Sequence, residues 1–134
     1  MRAAAGRTAE DVLVRYLDAI DRFDWDAVGA CFAADARASY GGGPLLEGRD
    51  AIVERLREAH TAEASTHLLG GVVAEAAGAG FRTRSAVVAY LKKDGAVRIR
   101  GLRYEDLIEE RDGGWRIVER RHTMQWMAEA PARG

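Results

Sequence analysis

The feature that most constrains this chain is a change of period at Ser65. Before it, apolar residues recur at helical spacing; after it, they alternate. Over Ala9–Ile20, the residues Val12, Leu13, Tyr16, Leu17 and Ile20 make one stripe, with Thr8 as a cap and Asp11 three residues on as its capping-box partner. A second, short helix is predicted over Asp24–Phe32, with Trp25, Val28 and Phe32 inward and Asp24 as its cap. Gly29 weakens it by roughly 1 kcal/mol relative to Ala. A third is predicted over Arg49–His60, with Ile52, Val53, Leu56 and Ala59 inward and His60 an exposed cap. Between them, Asp35–Tyr40 reads as a first strand, broken by Gly41–Pro44, and Leu45–Gly48 as a short extended piece.

Beyond Ser65 the candidates are strands: Thr66–Ala76, Phe81–Leu91, Val97–Glu110 and Trp115–Met127. They are separated by Ala77–Gly80, Lys93–Gly95 and Asp112–Gly114, the Gly-rich and Asp-Gly chemistry that hairpins use. Helices first and then a strand meander imply an α+β fold, with three N-terminal helices on one face of a curved antiparallel sheet. Strands of this length curl, and the open side of the curl leaves a pocket. No repeat or long linker interrupts residues 1–134, which read as one domain with a core of about 8–127 and frayed ends at Met1–Arg7 and Ala130–Gly134.

Charge excludes some functions. With 20 basic and 21 acidic residues the net charge is −1, which offers neither a basic face for nucleic acid nor a polybasic anchor for a membrane. No apolar run is long enough to span a bilayer, and the first residues lack the apolar stretch of a signal peptide, so the expected location is the cytoplasm. Cys31 is the one cysteine and reads as a small buried hydrophobe. No HExxH, CxxC or carboxylate loop points to a metal, and no GxGxxG or Walker loop points to a nucleotide, so no cofactor is expected.

The informative residues are polar ones in apolar surroundings. Asp21 ends the first helix where the stripe calls for a core residue; it is either a turn residue or half of a charged pair. His67, in the STHLLGG run, is either a surface strand residue or a proton carrier beside a carboxylate. On the last strand, alternation puts Val118, Arg120, His122, Met124 and Trp126 on one face, which lines a polar pocket or a solvated edge. Tyr40 and Tyr104 are strand-packing residues or hydroxyl donors to a ligand.

Several segments occur together in order: YLDAIDRFDW (Tyr16–Trp25), CFAADA (Cys31–Ala36), LEGRDAI (Leu46–Ile52), STHLLGG (Ser65–Gly71), Tyr104–Asp106 and DGGWRI (Asp112–Ile117). Over Thr8–Trp126 the chain resembles the SnoaL-like branch of the nuclear transport factor 2-like superfamily, near its scytalone dehydratase-like members. The resemblance implies a cone-shaped, cystatin-like α+β barrel, often a homodimer through the exposed sheet face. It implies catalytic roles for Asp21, His67 and Tyr40: the His removes a proton, the Asp orients and charges the imidazole, and the Tyr positions or protonates a leaving oxygen. Tyr104, Arg120, His122 and Trp126 are then substrate-binding. The expected activity is a cofactor-independent lyase, a dehydratase of a small cyclic or polyketide-like molecule. An isomerase or cyclase using the same pair, or a non-catalytic small-molecule-binding or dimerisation module, are the alternatives.

Overall fold

In the computed structural model, which describes residues 2–133 and the side chains from Arg7 to Arg133, three helices precede the main run of strands. Helix α1 spans Arg2–Asp21, α2 Trp25–Ala30 and α3 Arg49–Ala59. The strands are β1 Phe32–Tyr40, β2 Leu46–Glu47, β3 Ala64–Ala77, β4 Gly80–Lys93, β5 Ala96–Arg111 and β6 Gly114–Pro131. They form one sheet in the order β2-β1-β6-β5-β4-β3. The predicted meander is present: β3 to β6 pair antiparallel, each with the next. The departure is β1, which joins β6 in parallel.

Element ends run longer than the sequence predicts. The α1 helix starts well before Thr8, so Thr8 lies within it, and Asp11 pairs instead with Arg15 Nε at 2.8 Å. At the other terminus β6 continues to Pro131, held by its pairing with Ala96. Phe32 opens β1 rather than closing α2, whose cap is Asp24 as expected: its Oδ1 accepts the Ala27 N–H at 3.0 Å. The Asp94-Gly95 and Asp112-Gly113 turns both take positive φ at both residues, the backbone of tight type I′ hairpins.

The stripe of α1 is buried against the inner face of the sheet. Leu13, Tyr16, Phe32, Val28, Ile52, Val87, Ile108 and Ile117 are the largest fully buried side chains of the resulting core. Cys31 is buried at the end of α2, its thiol donating to the Ala27 carbonyl. Bulges bend the sheet around this core, and the pairing of β1 with β6 is also irregular between Phe32 and Arg37. Gly70 is the unpaired residue on β3, and Val118 and Gln125 on β6.

The β6 bulges rewrite the alternation read from sequence. Because Val118 is extra, Ile117 and Arg120 are both buried, although strict alternation separates them. Because Gln125 is extra, Trp126 turns to the outer face. It is half-exposed there, and its indole lies flat over Gly101, where an added Cβ would meet Trp126 Nε1 at 2.1 Å. Gly101→Ala therefore displaces the indole and is expected to cost about 1–2 kcal/mol in urea unfolding. The same change in a Trp126→Ala background should cost nothing measurable, and Gly71→Ala, which meets open space, should stay within about 0.5 kcal/mol.

Candidate active site

The α1 helix ends in a left-handed C-terminal motif, with Phe23 N–H on the Ile20 carbonyl and Asp24 N–H on the Ala19 carbonyl. Phe23 sits at the left-handed position, φ 56°, where glycine is usual. The strain of order 1–3 kcal/mol is offset by stacking of its ring on His60, centroids 4.7 Å apart. This turn delivers Asp21 to the edge strand β3. Its carboxylate accepts three hydrogen bonds there: from Ser65 Oγ at 2.7 Å, from the His67 backbone N–H at 2.8 Å, and from His67 Nδ1 at 2.6 Å.

That pattern fixes the His67 tautomer. With Nδ1–H donated to a carboxylate, Nε2 carries the lone pair. Side-chain exposure is 9% for His67 and 22% for Asp21, so the pair is mostly shielded. His67 lines a half-open chamber of about 510 Å³ between α1, the end of α3 and the inner face of β4 to β6.

Register across the sheet sorts the inner residues into rows. The deepest holds Asp106 and Arg120, paired by two hydrogen bonds of 2.8 and 3.0 Å, both side chains fully buried. The Arg120 guanidinium lies 3.8 Å over the Tyr104 ring and 4.3 Å over that of Tyr16, and Nη1 reaches Tyr40 Oη at 3.5 Å. Next come Tyr104, His122 and Tyr40, facing one another on β5, β6 and β1. Both tyrosine rings pack against the imidazole, with centroids 5.5 and 5.2 Å from it. Leu69, Val87, Leu102 and Met124 form an apolar row, and His67, Ala89 and Arg100 the one beyond it.

Burial, and then the Arg120 charge, push the His122 imidazole down to about 4, so it is neutral at pH 7. Its Nδ1 is buried with no hydrogen-bond partner on another residue. The Tyr16 hydroxyl, 3.1 Å from that of Tyr40, is pushed well up, first by burial. Burial lowers His60.

His67, Tyr40, Tyr104 and His122 thus line one chamber, with Asp21 behind His67. Arg120 lies beneath it with no surface open to a ligand; it is a charged floor, not a contact residue. Trp126 is on the opposite face and does not line the chamber.

A family model of the SnoaL-like domain matches residues 2–121. The chain belongs to the SnoaL-like family. No curated protein matches. Among solved structures, it is similar to a Novosphingobium aromaticivorans protein described as a candidate scytalone dehydratase, at 21% identity over 95% of this chain and 88% of that one, TM-score 0.83. Rv3472 of Mycobacterium tuberculosis, of unknown function, is 26% identical over 88% of this chain and 70% of that one, TM-score 0.78. A hexachlorocyclohexane dehydrochlorinase, LinA type 2, is 16% identical over 96% and 88%, TM-score 0.80. Other neighbours are described as having nuclear transport factor 2-like and cystatin-like folds, the architecture expected from sequence.

This SnoaL-like site also contains residues that sequence reasoning missed. His60 does end α3, but it is turned inward: Nε2 lies 3.2 Å from Ser65 Oγ, which extends the network to His60–Ser65–Asp21–His67. Ser65 was legible, since it lies two residues before His67 and so shares its face. Arg98 and Arg100 were legible too, because they alternate into the inner face of β5 with Leu102 and Tyr104. Among the described residues, no helix is long and apolar enough to cross a membrane.

The lowered His122 carries a sign. The unfolded chain binds its proton near 6.5, the folded state only near 4. This contribution is complete above pH 6.5 and is lost as pH falls towards 4. His122→Phe should flatten that part of the stability–pH curve by about 1–2 kcal/mol, read by urea unfolding at pH 7 and pH 4.5. Asp106→Asn should cost about 3–5 kcal/mol in the same assay, because it strands a buried guanidinium.

Proposed function

We propose that this chain is a cofactor-independent lyase, a dehydratase acting on a small cyclic or polyketide-like molecule, with His67 as the base. The carrying observation is that the Asp21 carboxylate holds Nδ1–H of an imidazole lining a half-open chamber. This arrangement leaves Nε2 as the lone-pair nitrogen, ready for a substrate C–H.

The step balances without further groups. Nε2 takes a proton from a carbon next to a carbonyl, and the C–H electron pair forms the new double bond as the C–O bond breaks at the adjacent carbon. The imidazolium, stabilised by Asp21, returns the proton to the departing hydroxyl, which leaves as water. Proton transfer by a positioned group is typically worth about 10²–10⁴-fold. The carboxylate keeps the tautomer correct and lowers the cost of charging the ring.

The Tyr40, Tyr104 and His122 row is suited to hold the substrate's oxygens. Tyr40 Oη accepts from Arg120; when the Tyr16 hydroxyl also donates to it, the Tyr40 proton is left for the chamber. Neutral His122 supplies one further donor or acceptor of the same row. The same pair serves an isomerase or cyclase if the imidazolium returns its proton to carbon.

The test uses 3-hydroxy-1-tetralone in deuterated water, followed by proton NMR. Loss of water to give the aromatic product supports a dehydratase; solvent deuterium at the α-carbon with the hydroxyl retained supports the isomerase reading. His67→Ala should lower either reaction at least about 10³-fold and Asp21→Asn about 10²–10⁴-fold, with thermal unfolding showing both variants folded. Full activity in folded His67→Ala would remove His67 as the base.

A further inference from the structure

The base is not alone in its row. Register places His67 opposite Ala89, and Ala89 opposite Arg100, so His67 and Arg100 flank one small side chain on the inner face of the sheet. Two strand spacings, about 10 Å, separate their Cα atoms, and only the Ala89 methyl stands between them. Arg100 lines the same chamber as His67.

Arg100 has no countercharge. Its other cross-strand neighbour is Met127, and no carboxylate among the described residues lies within ion-pair distance of it. The carboxylates in this region are engaged or placed elsewhere. Asp21 takes three hydrogen bonds from β3, Glu63 takes the Asp94 N–H and lies near Lys92, and the chamber's own carboxylates, Asp94 at the hairpin turn and Glu129 in register with Arg98, form no ion pair with Arg100. Arg100 Nε is buried and has no hydrogen-bond partner. A buried guanidinium N–H without an acceptor is a costly arrangement. A ligand oxyanion removes that cost, since the planar fork matches a carboxylate through two parallel hydrogen bonds. Its charge also reaches His122, one of the influences that keep that imidazole neutral.

We infer that the chamber takes a carboxylate-bearing substrate, with the carboxylate on Arg100 and the ring across Leu102 and Met124, so that the reacting carbon lies against His67. The inference deepens the lyase reading by naming its substrate class, and it rests on that reading only for the identity of the base.

Two probes of one shape and different charge test it: 2-naphthoate and 2-naphthamide, titrated at pH 7 by isothermal calorimetry. The wild-type protein should bind the naphthoate at least tenfold more tightly. Arg100→Gln should erase that preference while leaving the amide within about twofold, and Arg100→Lys should keep most of it. Arg98→Gln, at a more exposed position in register with Glu129, should change the preference less than threefold. Equal affinity for both probes in the wild type, or a preference that survives in folded Arg100→Gln, overturns the proposal. His67→Ala separates the two readings: it should lose catalysis yet retain the charge preference. Loss of catalysis in His67→Ala without any wild-type charge preference would leave the base in place and remove the anion.

Discussion

The carboxylate of Asp21 joins the two halves of the molecule. It sits at the C-terminal end of α1, where the helix dipole disfavours negative charge, and it is retained there by three donors from β3. One is a backbone N–H, which fixes the edge strand against the helix; one is a serine hydroxyl; one is the imidazole. The bonds that dock helix to sheet therefore also set the tautomer of His67. Moving Asp21 along the helix by one residue would rotate it by about 100° and break structure and chemistry together.

Around that anchor the inner face is built in rows, because residues in register across neighbouring strands stand side by side. Charge is sealed at the bottom in the Asp106–Arg120 pair, aromatic hydroxyls and His122 follow, then aliphatic residues, then His67 and Arg100. This gradient gives the chamber a direction. Polar groups stand at each end and an apolar band lies between, which suits a flat ring with oxygens at both edges. A burial-only view would rank Arg120 with the active groups, since it is charged and central. Its two hydrogen bonds to Asp106 and its aromatic sandwich instead make it the support that positions Tyr104, Tyr16 and Tyr40.

Much of this was legible from the chain. The change of period at Ser65 separates helices from strands, the Asp-Gly pairs mark the hairpins, and Asp21 and His67 are conspicuous as polar residues at apolar positions. What was not legible has a local cause in each case. A bulge leaves no reliable mark in sequence, and one extra residue at Gln125 is enough to send Trp126 to the far face. The fate of Arg120 depended on Asp106, a partner on another strand fourteen positions away. Parallel pairing of β1 with β6 brings Tyr40 to His122 across most of the chain, and no local pattern encodes it. His60 read as an exposed helix end because the ring that covers it, Phe23, comes from the turn after α1, far back in the sequence.

The turn after Asp21 is strained at Phe23. A glycine at position 23 would relieve the left-handed backbone, yet the chain places a phenylalanine there. Its ring stacks on His60, and His60 reaches Ser65, whose hydroxyl proton goes to Asp21. With Ser65 donating to the carboxylate, its oxygen remains free to accept from His60, so each member of the line has a defined role. The strain is local and the benefit is positional: it immobilises the groups behind the carboxylate, which in turn hold the imidazole. A base that removes a carbon-bound proton needs that rigidity more than it needs basicity, since a misplacement of about 1 Å can cost about 10²-fold.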